Sequence, residues 1–158
     1  VRKLAEEFDY GGKGVEEGGV ELLDRDEYCE VRKVSNEKSA ERMLMEETDP
    51  AYVNFEFDSY WPTEAGVDAL QLMRQLGDRL KLYHINDRGS RVTGASMTAI
   101  LKSDSMELGY GNMNLEALVE QAKAAGVDAV ILESHKNWVD KSPVKSIQLS
   151  AKFMKKYV

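Results

Sequence analysis

Three apolar runs in this chain each end on a residue able to ligate a metal. AYVNFEF (51–57) leads into Asp58, LKLY (80–83) into His84 and VDAVIL (127–132) into Glu133. An amphipathic helical pattern follows the first and third runs, and another precedes the second. Strands that alternate with helices form parallel sheets joined by right-handed crossovers. When such units close into a barrel, the C-terminal strand ends converge on one face and supply the catalytic residues. An Asp, a His and a Glu delivered to that rim form a candidate site for a divalent cation.

The rest of the chain fits this frame unevenly. VRKLAEEF suits a helix, but Gly11, Gly12, Gly14, Gly18 and Gly19 follow within nine residues. Each glycine inside a helix costs up to ~1 kcal/mol relative to alanine, so a frayed helix or loop is expected over 1–18 and an irregular segment over 1–38. Val20–Leu23 is a short strand candidate, followed by the polar run Asp24–Glu27. Ser39 is placed to cap a helix reaching Glu47, which Thr48-Asp49-Pro50 ends. Tyr52–Phe57 reads as a strand with Val53, Phe55 and Phe57 on one face and Asn54, Glu56 and Asp58 on the other. In a barrel the polar set points inward.

A helix is expected over 64–77, with Val67, Leu70, Met73 and Leu76 at three-residue steps. The strand Leu80–Ile85 brings His84 and Asn86 to one face. Residues 87–113 show no period and read as a long loop. Asn114 caps a helix through Ala125, stopped by Gly126. Val127–Leu132 is apolar on both faces apart from Asp128, as a buried parallel strand is. Ser142-Pro143 opens the last helix, with Val144, Ile147, Ala151 and Met154 expected inward.

The chain has 158 residues, enough for one domain with a core but short of the roughly 200–250 that eight strand–helix units need. The expected class is therefore α/β: parallel strand–helix repeats forming part of a barrel, as one domain over 1–158 with its core in 39–158. The net charge of −7 argues against a nucleic-acid or anionic-membrane partner, since both select basic surfaces. No apolar run approaches the ~20 residues of a membrane span. Cys29 is the only cysteine, which fits a reducing compartment; a cytoplasmic location is the expectation.

Four stretches, TDPAYVNFEFDSYWPTEAG (48–66), RLKLYHINDRG (79–89), LGYGNMNLEAL (108–118) and VILESHKNW (130–138), occur in an order and spacing that resemble the xylose-isomerase-like barrel family of sugar phosphate isomerases, epimerases and inosose dehydratases. The resemblance runs from about Ser39 to Val158 and implies the C-terminal half of such a barrel. It implies a divalent ion (manganese, magnesium or cobalt) held by Asp58, His84, Glu133 and a further glutamate. Glu30, in Arg25-Asp26-Glu27-Tyr28-Cys29-Glu30-Val31, fits that fourth place, although the two histidines usual in this segment are absent. Tyr110 stands where the Gly-x-Gly turn usually carries a Glu.

The resemblance implies a sugar or sugar phosphate as substrate and casts Glu133 and Glu30 as the proton-transferring carboxylates. Trp61, Asn86, Arg88, His135 and Trp138 become candidate substrate contacts. Plainer readings stay open at each position: Asp58 as a loop cap, His84 as a core histidine, Glu133 as a rim carboxylate, Glu30 as a surface residue and Arg88 as an ion-pair partner. So does a non-catalytic half-barrel that serves as a binding or assembly module. A DNA-repair endonuclease would want more histidines and a basic groove. An open half-barrel exposes sheet edges, so a homodimer or a missing N-terminal half is the expected partner.

Overall fold

A computed structural model describes residues 1–25, 33–35, 38–92, 103–135 and 138–158. In chain order the elements are α1 (Arg2–Glu16), β1 (Leu22–Arg25), β2 (Lys33–Ser35), β3 (Lys38–Ser39), α2 (Ala40–Glu47), β4 (Val53–Asp58), α3 (Tyr60–Glu64), α4 (Ala69–Leu76), β5 (Leu80–Ile85), β6 (Asp87–Val92), β7 (Ser103–Met106), α5 (Leu115–Ala125), β8 (Ala129–Leu132) and α6 (Pro143–Tyr157). Strands β1, β4, β5 and β8 form one parallel sheet in that order. The pairs β2–β3 and β6–β7 are antiparallel. The arrangement is a parallel α/β sheet of partial-barrel type, as the strand–helix alternation implies.

The register aligns the C-terminal strand ends. Arg25 lies opposite Glu56, Asp58 opposite His84, and His84 opposite Ile131. The ladder runs one residue past β8, because Glu133 N–H donates to Ile85 O at 3.0 Å. Val53, Phe55 and Phe57 are buried on the helix side of β4 and join Met73, Leu76, Tyr83, Ile85, Leu118 and Val119 in the core. The caps are the local ones. The side chains of Ser39, Asn114 and Ser142 accept from Arg42 N, Ala117 N and Lys145 N, and Gly126 ends α5 in the left-handed region at φ 77°.

Several expectations are corrected. Residues 2–16 are helical despite their glycines. Gly12 is buried against Tyr52, and a Cβ there would lie 2.3 Å from the Tyr52 carbonyl oxygen, so the glycine permits the approach of α1 rather than spoiling it. Asp9 adds a tie by accepting Asp49 N–H at 2.8 Å. Packing here overrides propensity. The helix expected over 64–77 is shorter: α4 starts only at Ala69, and Glu64 belongs to the end of a separate helix, α3. Gly66 takes φ 76° between them, and Asp68 caps α4 by accepting from Gln71 N; Val67 is left exposed.

The expected loop over 87–113 contains the β6–β7 hairpin; residues 93–102 fall outside the described residues. Strand β8 is half-exposed rather than fully buried. It is an edge strand, paired on one side with β5. Helix α6 is rotated from the orientation its apolar stripe suggests, although Met154 still packs on the core. Ser146 and Ser150 are buried, Val144 and Ile147 are 62% and 51% exposed, and Ala151 and Met154 are half-buried. Ser146 Oγ donates to Glu107 Oε1 at 2.5 Å and accepts Val139 N–H, while Ser150 Oγ accepts Leu108 N–H. Buried polar groups need such partners, and the two serines supply them. Among the described residues no helix is long and apolar enough to cross a membrane.

Candidate metal centre

Asp58 ends β4, His84 lies next to the end of β5, and Glu133 follows β8. One ligand atom from each lies within 4.8 Å of those of the other two. The parallel register makes this convergence a backbone property: Asp58 and His84 are cross-strand partners, and the ladder bond from Glu133 fixes its Cα beside Ile85.

The three sit in a dense charge network. His84 Nε2 is 2.5 Å from Glu56 Oε1, and His84 Nδ1 is 2.7 Å from Glu133 Oε2. Arg25 Nη2 donates to the same Glu133 Oε2 at 2.6 Å, and Arg25 Nε lies 3.8 Å from Glu56 Oε1. His135 Nε2 pairs with Glu133 Oε1. Asp58 Oδ1 accepts Tyr60 N–H at 2.8 Å, with Asn86 Nδ2 at 3.4 Å.

Burial pushes the Asp58 carboxyl up to about 7; the charge of Glu133 adds to this, while the Tyr60 N–H and Arg25 oppose it. Burial also acts to raise Glu133, but the hydrogen bond from His84 and the charges of Arg25 and His135 outweigh it and hold Glu133 below its ordinary value. The proton affinities of the two carboxyls are thus driven apart, a pattern common at functional sites.

The donor set fits a hard or borderline divalent ion: two carboxylates and an imidazole, with no sulfur. Two observations agree. Asp58 is 1% exposed beside a second acid, a concentration of negative charge that a cation relieves. The buried Asn86 Oδ1 has no hydrogen-bond partner, and an unsatisfied buried acceptor costs about 1–3 kcal/mol.

Other candidate residues fall at different distances from this cluster. Asn86 is buried and touches Asp58. His135 is on Glu133. Trp61 lies in α3, three residues after Asp58, edge-on to Tyr60 with ring centroids 5.5 Å apart. Arg88 pairs with Glu64. Trp138 is partly exposed and donates to Ser134 Oγ at 3.1 Å. Glu30, with Glu27, lies outside the described residues.

Two members of the cluster are not among the candidate site residues that the sequence offers. Alternation places Glu56 on the inward face of β4 with Asp58, but no motif gives it a role. Arg25 lies inside a polar run with no motif of its own, and only the sheet brings it to Glu133. Asp87 serves the fold, because its carboxylate accepts the N–H groups of Arg88, Gly109, Gly111 and Met113. A shallow groove lined by Thr63, Leu70, Met113 and Leu118 lies away from the cluster, so donor geometry rather than cavity volume identifies the site.

No family model and no curated protein matches the chain. Solved structures do. A sugar phosphate isomerase/epimerase from Parabacteroides distasonis ATCC 8503 matches with a TM-score of 0.77 at 21% identity, covering 98% of this chain and 51% of its own. A xylose isomerase domain protein from Planctomyces limnophilus matches at 0.68 and 11%, covering 98% and 51%. An L-ribulose 3-epimerase matches at 0.66 and 15%, covering 98% and 52%. The chain spans about half the length of each of these proteins, and at such identities the likeness is one of fold. By fold, this chain corresponds to half of the α/β barrel of sugar phosphate isomerase/epimerase and xylose isomerase-like structures.

Proposed function

We propose that the Asp58–His84–Glu133 cluster is the metal centre of a divalent-metal-dependent isomerase or epimerase acting on a sugar or sugar phosphate, with reduced or no activity in this stretch of chain alone. The observation that carries the reading is the approach of three ligand atoms to within 4.8 Å at adjacent strand ends. Manganese, magnesium and cobalt suit the donors. A bound ion would polarise substrate oxygens and stabilise the charge left when a proton leaves the neighbouring carbon.

The chain's own groups account for the rest. Glu133, held below its ordinary value, is a carboxylate at neutral pH and able to accept that proton. In this reading Glu30 serves the opposite face of the substrate. Asn86 and His135 hold Asp58 and Glu133 in place and reach the substrate's hydroxyls. Trp61 and Trp138 offer apolar walls to a sugar ring, and Arg88, paired with Glu64, offers a cation to the substrate. Residues 1–158 act as one folding unit.

A second reading is a non-catalytic half-barrel that works as a binding or assembly module. The arginine seated on Glu133, the exposed Val144 and Ile147 and the unpaired edge of β8 among the described residues favour it. In either case a second copy or an N-terminal half-barrel is the proposed partner.

Calorimetric titration with manganese tests the metal centre, using wild type, His84→Ala and Asp58→Ala, each checked for folding by circular dichroism. Binding by wild type that both substitutions abolish supports it and justifies a screen of aldose–ketose and epimer pairs. Folded wild type and folded Arg25→Gln that both take up no ion would remove it.

A further inference from the structure

We propose that Arg25 is a built-in counter-cation that competes with a divalent ion for Glu133, so that loading the centre requires the guanidinium to let go. This rests on the metal-centre reading above. The four parallel strands bring chargeable side chains to the same rim: Arg25 at the end of β1, Glu56 and Asp58 from β4, His84 from β5 and Glu133 after β8. All but Arg25 offer lone pairs. Arginine offers none and keeps its charge at any working pH.

The contact falls on an atom the ion would need. Glu133 Oε2 already receives Arg25 Nη2 at 2.6 Å and faces His84 Nδ1 at 2.7 Å, while His135 faces Oε1. Both carboxylate oxygens are thus engaged, and a dication at Glu133 would lie within a few ångströms of the guanidinium charge. Like charges that close repel strongly outside bulk water. Arg25 has solvent to swing into on release. Its side chain is 41% exposed, whereas that of Glu133 is 13% exposed, and it extends from an edge strand. Arg25 thus neutralises the carboxylates before the ion arrives and opposes the ion when it does.

The test is manganese affinity at fixed ionic strength for wild type, Arg25→Gln and Arg25→Lys, with circular dichroism for folding and the ion-induced rise in Tm as a second readout. Arg25→Gln should bind about tenfold tighter or more, the effect of removing one strong charge-assisted contact. Its Tm should rise further on adding the ion than that of wild type. Arg25→Lys, whose ammonium lacks the planar fork, should fall between. Binding by Arg25→Gln alone also supports the proposal. Equal or weaker binding by Arg25→Gln overturns it and leaves the metal centre standing, because a merely structural arginine would help rather than hinder the site. Binding by neither protein overturns both. If Arg25→Gln does not fold, Arg25→Lys decides: affinity no higher than wild type overturns the proposal.

Discussion

Arg25 Nη2 meets Glu133 Oε2 at 2.6 Å and joins the two edge strands of the parallel sheet at its C-terminal rim. Four strands at about 4.8 Å spacing would put those edges roughly 14 Å apart in a flat sheet. Strand side chains stand roughly perpendicular to the sheet, so a contact between opposite edges requires the sheet to curl toward that face. The same curl gathers Asp58, His84 and Glu133. Barrel curvature is therefore present in this stretch of chain, and the rim cluster is its direct product.

Asp58 should make the metal-free protein lose stability as pH rises through neutrality. Its carboxyl is raised from 3.8 to about 7 in the folded state. The folded protein thus holds a proton there that the unfolded chain releases. The contribution is complete below pH 3.8 and is lost as pH passes about 7, amounting to at most about 4 kcal/mol. Glu133 is shifted the other way; its contribution is present above its ordinary value of 4.5 and disappears only on acidification. Urea midpoints at pH 5 and pH 8 should therefore fall further with rising pH in wild type than in Asp58→Asn. Equal slopes in the two proteins would refute the assignment.

How much of this was open to sequence reading follows from the range of each interaction. The Ser39, Asn114 and Ser142 caps act within three residues and are legible. The convergence of Asp58, His84 and Glu133 is legible because strand-end position and alternation are local properties that a parallel sheet turns into proximity. The inward face of α6 is not, because the partners of Ser146 and Ser150 lie 39 and 42 residues away. Nor is α1, whose Gly12 makes sense only against Tyr52. The Arg25–Glu133 pair spans 108 residues, and no local pattern encodes it.

The open side of the sheet should show itself in solution. Among the described residues β1 and β8 each pair on one side only, and Val144 and Ile147 stand exposed on α6. Unpaired strand edges and exposed apolar side chains promote association. Light scattering should find a dimer or larger species, or calorimetry a low Tm, with Ile147→Ser reducing any association. A monodisperse, thermally robust monomer would count against the half-barrel's need for a partner.

Arg79 is expected to be a stability determinant. Its Nη1 donates to Met45 O at 2.7 Å, and its Nη2 donates to Thr48 Oγ1 and Val53 O, each at 2.7 Å. The guanidinium carbon lies 4.7 Å from the Phe55 ring centroid. One side chain thus ties the end of α2 to the start of β4. Arg79→Ala leaves these acceptors without their donor and should cost roughly 2–3 kcal/mol. Arg79→Lys, lacking the fork, should recover only part of it. Chemical denaturation measures both, and a loss below about 0.5 kcal/mol for alanine would show that water replaces the guanidinium.

The Asp87 carboxylate organises the turn before α5, and its neighbour Gly111 shows how tightly. Asp87 Oδ2 accepts Gly109 N–H at 3.0 Å and Gly111 N–H at 2.9 Å, while Oδ1 accepts from Arg88 and Met113. A Cβ on Gly111 would lie 2.3 Å from Asp87 Oδ1 and 2.6 Å from Arg88 O, so even alanine forces the turn off the carboxylate. Asp87→Asn keeps one acceptor oxygen but presents an amide donor to N–H groups. Both Gly111→Ala and Asp87→Asn should therefore destabilise the protein by roughly 2 kcal/mol. They should also couple: in a double-mutant cycle the second change costs much less than it does alone, since both break one set of contacts. Strict additivity would mean that the turn is held by something other than Asp87.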